Sequence, residues 1–319
     1  MELQKQILLF LSSIQNPILD FFFQAITMIG ESIFVVCLVC FIFWNISKKK
    51  GITICMCMLT NVQIMGLLKA IIRFPRPWTL IEDLNTVRQS TATGYSFPSG
   101  HTTNSSSTLS AIAIAFKKRW LSITCAILIA LVAFSRLYLC VHWPMDVACG
   151  LLLGCGGTFL LFNFYQKLFE DKERGRKFFL VAGIISTIAW IVIAILLFNE
   201  KIDSMAFSDF GKNIATFSGA VLGLMWERSV FDYTVEEGHW KRKLLRFALG
   251  GLGCLIILPL SKIALKAVGF YNPITSTVRY FLATFWASGI YPILGGKLGL
   301  FVADLATETT TNISASGNN

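Results

Sequence analysis

The stretch FFLVAGIISTIAWIVIAILLF, from Phe178 to Phe198, decides the fold. It holds no charge and no proline, and it has the length of the ~20 apolar residues that cross a bilayer as a helix. Arg176-Lys177 precede it and Glu200-Lys201 follow it. In hydrocarbon each backbone N–H and C=O must find its partner within the protein, and a single run satisfies that only as a helix.

Apolar stretches of similar character recur on both sides. They place spans at 30–46, 52–72, 101–116, 120–138, 144–165, 178–198, 213–228, 246–265 and 279–304, an all-α polytopic transmembrane bundle of about nine helices. Pro75 and Pro77 stop the second span, and Pro144 suits the first turn of the fifth. Composition agrees: 55% of the 319 residues are hydrophobic and 14% charged, against roughly 25% charged in a soluble domain. Pro17 divides the first 29 residues into two short segments, which read as interfacial helices. Glu2 in place of a basic start, and the lack of a small-residue cleavage site, speak against a signal peptide.

The net charge of +10 follows from topology rather than from nucleic acid. Lys48–Lys50, Lys117–Arg119, the 166–177 loop and the 228–246 loop fall on one side of the expected bundle. They hold more than half of the 28 Lys and Arg, which marks that side as cytoplasmic. No basic stripe interleaved with aromatics lies outside these loops, so no nucleic-acid partner is expected. Trp44, Trp120, Trp226 and Trp240 fall at the inner boundary, and Trp78 and Trp143 at the outer one, as an aromatic belt predicts. The nine cysteines sit in or beside apolar runs. Cys37-Leu-Val-Cys40 has no thioredoxin-like context and reads as small apolar filler.

Three short segments stand out against this background: Lys69-x6-Arg76-Pro77, Pro98-Ser99-Gly100-His101, and Ser135-Arg136-x5-His142-x3-Asp146. The expected topology puts all three on the face opposite the cationic loops. Lys69, Arg76 and Arg136 are cations close to helix ends, and cations at membrane depth call for anionic partners. Ser99, Gly100 and His101 open a helix whose N-terminus offers free N–H groups to an anion, with Gly100 allowing close approach. Asp146, four residues after His142, can bind one imidazole nitrogen, fix the tautomer and leave the other nitrogen free to attack. That pairing makes His142 the candidate nucleophile and His101 the candidate general acid, roles that spacing without Asp146 leaves interchangeable. A metal on His101, His142 and Asp146 is disfavoured by the adjacent Arg and Lys, and no cofactor is expected.

Taken in order, the segments resemble the signature of the type 2 phosphatidic acid phosphatase (PAP2) family, which shares its site with the vanadium-dependent haloperoxidases. The match holds at every signature position from Lys69 to Asp146. The resemblance implies metal-independent hydrolysis through a phosphohistidine. It implies phosphate binding by Lys69, Arg76, Ser99, Gly100 and Arg136, acid catalysis by His101, attack by His142 and support by Asp146. The implied layout is 1–29 interfacial, 30–200 catalytic membrane core, 201–305 additional spans and 306–319 a disordered tail. The expected protein is an integral-membrane phosphatase of a lipid phosphate or diphosphate, in a bacterial cytoplasmic membrane with the site facing outward. Its partners are then the bilayer and a phosphorylated lipid; the oligomeric state is open. Two alternatives are a phosphotransferase with an alcohol acceptor and a non-catalytic lipid transporter; the transporter should have lost part of the site. Glu227, Arg228, Lys262, Lys297 and Asp304, in or near the last three spans, are expected to pair or snorkel rather than meet substrate.

Overall fold

A computed structural model describes residues 1–89, 92–235 and 239–303. The Asp304 and 306–319 expectations lie outside the described residues. Apart from one two-stranded antiparallel ribbon, β1 (Tyr233–Thr234) with β2 (Val302–Ala303), the regular structure among the described residues is helical. The chain divides into two compact units: residues 1–39, 53–169 and 199–213, and residues 40–52, 170–198 and 214 onward.

The first unit holds the candidate residues. It is built on α1 (Glu2–Ser13), α2 (Pro17–Thr27), most of α4 (Lys48–Ile72), α5 (Gly100–Phe116), α6 (Arg119–Tyr138), α7 (Pro144–Leu151) and most of α8 (Gly157–Glu170). Asn16 caps α2 by accepting from the Leu19 amide at 3.1 Å, with Pro17 in the first turn. α1 and α2 meet at 119°, and both pack on α6. Tyr138 Oη donates to Asp20 at 2.8 Å, and Leu8 is buried with Cys140 and Trp143.

α5 is a hydroxyl-rich helix inside the unit. Thr102, Thr103, Ser105, Ser106, Ser107 and Thr108 are all buried. Such side chains are tolerated because most back-bond to carbonyls three or four residues earlier or bridge to neighbours. Ser106 Oγ donates to Thr102 O at 2.6 Å and lies 3.2 Å from Gly150 O. Asn61 Nδ2 reaches Ser107 Oγ at 2.8 Å and Thr158 Oγ1 at 3.1 Å. α7 passes into α8 through a π-helical turn, Leu152–Gly156, packed on α5. A π-turn loosens the backbone ladder locally, which suits carbonyls shared with side chains. The close approach depends on glycine: a Cβ on Gly154 would lie 1.8 Å from Ser106 Oγ.

The second unit contains α9 (Lys172–Phe198), α11 (Trp240–Leu255), α12 (Ser261–Ala267), α13 (Pro273–Phe285), α14 (Tyr291–Lys297) and residues 214–230 of α10 (Ser204–Val230). Gly219 and Gly223 face Phe281 O and Ser288 Oγ at distances that admit no Cβ. Buried Glu227 meets Lys48 Nζ at 2.6 Å, and Asp232 meets Lys48 at 2.9 Å and Lys172 at 3.0 Å. Glu227 is therefore paired, but with Lys48 rather than with another of the charges in the last three spans. Lys262 lies 6.0 Å from the Tyr271 ring centroid.

Among the described residues five helices are long and apolar enough to cross a membrane: Lys48–Thr79, Arg119–Tyr138, Pro144–Glu170, Lys172–Phe198 and Trp240–Ala267. The bent α1–α2 pair would make a sixth. The helices at the expected first and third spans, α3 (Ser32–Asn45) and α5, are shorter than these five. The expected last span divides into α13, a π-turn and α14, and Val302–Ala303 are strand rather than helix. Two expected belt residues are instead buried. Trp44 and Trp143 each bond a backbone carbonyl, of Ala287 and Pro75, at 3.0 Å. A buried indole N–H needs such an acceptor. Gly154→Val should cost about 1–3 kcal/mol by overpacking against α5. A lowered melting temperature in detergent is the expected result, and an unchanged one would contradict this packing.

Candidate active site

α4 ends at Ile72, and Arg73 takes a left-handed φ of 51° that turns the chain out of the helix. Two prolines follow, so no helix can resume through Arg76. The Arg76 side chain instead runs into a collar of carbonyls. Its Nε donates to Gly94 O at 3.0 Å, Nη2 to Thr93 O at 2.6 Å and Nη1 to Val141 O at 2.9 Å. Only 4% of the residue is exposed. The same Nη1 lies 3.0 Å from His142 Nε2.

His142 sits in the turn between α6 and α7. Pro144 starts α7, and Asp146 falls in its first turn, where a carboxylate favours the helix dipole. One oxygen, Asp146 Oδ2, gathers the Trp143 amide at 2.8 Å, His142 Nδ1 at 3.1 Å and the Ser96 hydroxyl. Its anionic character makes it the acceptor, so Nδ1 carries the proton and Nε2 is left as a lone pair facing Arg76. Burial is the first cause that holds His142 well below the ordinary imidazole range; Arg76, Arg136 and Lys69 push the same way. The imidazole is therefore neutral near pH 7, the form a nucleophile requires.

The N-terminus of α5 adds the third side. Ser99 is fully buried, its Oγ accepting from Thr102 Oγ1 at 3.0 Å, and its amide donates to Asp146 O at 3.0 Å. A Cβ on Gly100 would meet nothing nearer than Met65 Cε at 3.7 Å. The space in front of Gly100 at the helix end is therefore open. Arg136, fully buried, donates through Nη1 to Thr27 Oγ1 at 2.6 Å, while its Nε and Nη2 have no partner among the described residues. His101 Nε2 and Asp146 Oδ1 are likewise without one. Each unsatisfied buried donor costs about 1–3 kcal/mol, more for a charged group. Lys69, Arg76, Arg136, His101 and His142 all lie within electrostatic reach of one another. Among the described residues no three His, Cys, Asp or Glu side chains group as metal ligands.

Residues 50–170 match the family model described as PAP2 superfamily, and residues 211–304 match its transmembrane extension, PAP2 superfamily phosphatase. The chain belongs to the PAP2 superfamily. It is a membrane phosphatase of that superfamily. A lipid A 4'-phosphatase of Bacteroides thetaiotaomicron is 28% identical over 179 residues, 52% of this chain and 79% of the relative. An undecaprenyl-diphosphatase of Sulfolobus acidocaldarius is 32% identical over 114 residues, 36% of this chain and 54% of the relative. The crystal structure of Aquifex aeolicus LpxE aligns with a TM-score of 0.46 at 24% identity, covering 50% of this chain and 93% of that one.

The structure of this PAP2 protein thus brings all eight sequence-identified residues into one unit. It adds groups that sequence reasoning missed. Ser96 bonds Asp146, Thr27 bonds Arg136, and the carbonyls of Thr93, Gly94 and Val141 hold Arg76. Backbone acceptors have no residue-type signature, and a lone serine or threonine is too common to single out. Because His142 is held below the ordinary imidazole value of about 6.5, its neutral form persists into mild acid. The acid limb of kcat/KM, corrected for ionisation of the substrate phosphate, should therefore fall below pH ~6.5. A limb at or above that value would contradict the assignment.

Proposed function

We propose that this phosphatase removes phosphate from a phosphorylated lipid by way of a phosphohistidine on His142, at the non-cytoplasmic face. The observation that carries the reading is the join of a nucleophile and an anion site. His142 is oriented by Asp146 at 3.1 Å, beside buried Arg136 donors that lack partners among the described residues. A phosphate bound there would accept from Arg136, Arg76, Lys69, Ser99 and the amides at the start of α5, and would neutralise cations that are otherwise costly at depth.

His142 Nε2 forms a bond to phosphorus as the bond from phosphorus to the leaving oxygen breaks, and His101 delivers a proton to that oxygen. Water then attacks the phosphohistidine, His101 takes a proton from it, and the nitrogen–phosphorus bond breaks to release inorganic phosphate. Displacing the Arg76–Nε2 contact is part of binding, because phosphate oxygens take over that donor. Asp146 stays ionised throughout and stabilises the imidazolium character that develops on His142.

The relatives named as lipid A 4'-phosphatase and undecaprenyl-diphosphatase support a lipid monophosphate or diphosphate as substrate. The distribution of Lys and Arg supports a site on the face opposite the cytoplasm. Purified protein should release phosphate from at least one member of a panel holding a phosphorylated glucosamine lipid, phosphatidate and a prenyl diphosphate. EDTA should leave the rate unchanged, and His142→Ala should lower it by about 10⁴-fold or more. Phosphate release that survives His142→Ala would rule the reading out, and loss with EDTA would rule out its metal-free step. With labelled substrate and an alkaline quench during turnover, the wild-type protein should carry acid-labile, alkali-stable label and His142→Ala none.

A further inference from the structure

Neither matched stretch, 50–170 or 211–304, includes residues 203–210, yet these residues touch the loop that holds Arg76. The Tyr95 hydroxyl donates to Asp203 Oδ2 at 2.9 Å, and Arg73 stands 3.9 Å from the same oxygen. The Thr93 hydroxyl lies 3.2 Å from Asp209 Oδ2. Between these two bonds sits Gly94 at φ 67°, where a Cβ would come within 3.3 Å of Met205 O. Thr93 and Gly94 are the residues whose carbonyls receive the Arg76 guanidinium at 2.6 and 3.0 Å. The side chains and backbone of one short loop are thus gripped from outside by α10 and grip Arg76 on the inside.

The grip is itself anchored on α4. A Cβ on Gly66 would lie 2.8 Å from Phe210, and Gln63 Nε2 donates to Asn213 O at 2.8 Å. Residues 203, 209, 210 and 213 recur at helical spacing, so one face of the start of α10 spans both the loop and α4, the helix that carries Lys69 in its last turn. Each carboxylate has a partner outside the site, and Asp209 also lies within electrostatic reach of Lys69. Asp209 pairs with Lys212 at 3.0 Å, and Asp203 takes the tyrosine bond.

We infer that Asp203, just ahead of α10, and Asp209, near its start, are positioning residues that set the Arg76 guanidinium through the Thr93–Tyr95 loop. This inference rests on the reading of Arg76 as a phosphate ligand. A guanidinium recognises phosphate through a rigid fork of donors, so its placement matters as much as its charge. A shift of the order of 1 Å in such a group costs up to about 10²-fold in rate. No substrate contact is assigned to either aspartate.

The test is a cycle between the clamp and Arg76. Tyr95→Phe, Asp209→Asn and their combination are made in the wild-type chain and in Arg76→Lys, and kcat/KM and inhibition by inorganic phosphate are measured for each. In the wild-type chain the combined variant should lose about tenfold or more in kcat/KM, with phosphate inhibition weakened by a similar factor. In Arg76→Lys the same changes should cost less than about threefold, because the geometry they protect is already gone. Equal losses in both backgrounds, or no loss in the wild-type chain, would overturn the clamp. Should the combined variant not purify as a folded protein, the single Tyr95→Phe, which removes one hydroxyl, answers the same question in the same cycle. Arg76→Lys with unchanged phosphate inhibition would overturn the site reading, and the clamp with it.

Discussion

A guanidinium removed from water must find acceptors for its donors, and Arg76 finds most of them in backbone. Three carbonyls, of Thr93, Gly94 and Val141, surround it, and they come from two loops far apart in sequence. The buried charge therefore does structural service before it does any chemistry. It ties the loop after α4 to the turn between α6 and α7, and that turn carries His142. Losing the carbonyls would leave an uncompensated buried charge, which costs several kcal/mol. The loops are held in register by that threat as much as by their own packing.

The remaining order of the site follows from Asp146. Its Oδ2 binds the Trp143 amide, the Ser96 hydroxyl and His142 Nδ1 at once, so a single oxygen closes the first turn of α7, joins the loop ahead of α5 and fixes the imidazole tautomer. Shared acceptors of this kind make a polar network rigid, because no member can move without stranding another. Beneath it, the hydroxyls of α5 and the glycines of α7 and the π-turn let helices approach closely. That packing leaves the N-terminus of α5 held against the Asp146 carbonyl through the Ser99 amide. What the network does not satisfy, among the described residues, is Arg136 Nε and Nη2, His101 Nε2 and Asp146 Oδ1. Unsatisfied buried donors and acceptors concentrated at one place are what an anion and its leaving group would use.

How much of this was legible in the chain depends on the kind of group. Lys69, Arg76, His101, Arg136, His142 and Asp146 are rare residue types for an apolar protein, and their order and spacing were enough to nominate them. The i,i+4 placement of His142 and Asp146 could be read because one helical turn brings those positions together whatever the rest of the fold does. Ser96, Thr27 and the carbonyl collar could not be read, since they lie on other elements and carry no distinguishing chemistry. Trp44 and Trp143 show the converse. Their position along the chain suggested an interfacial belt, while their surroundings bury them against Ala287 and Pro75. The expected long last span failed for a related reason. Apolar composition does not say where Trp286–Ile290 opens into a π-turn, nor that Val302 pairs as strand with Thr234.

The amino-acid sequence by itself determined the helical membrane class, the family signature and the cast of the site, because hydropathy and residue chemistry are local properties. Tertiary structure alone decided which nitrogen of His142 faces Arg76, which buried donors lack partners among the described residues, and that Asp203 and Asp209 reach the loop around Arg76. Those last contacts join segments more than a hundred residues apart. They are settled by where buried polar groups can find partners, a constraint that acts on the folded chain as a whole and leaves no trace in any one stretch of it.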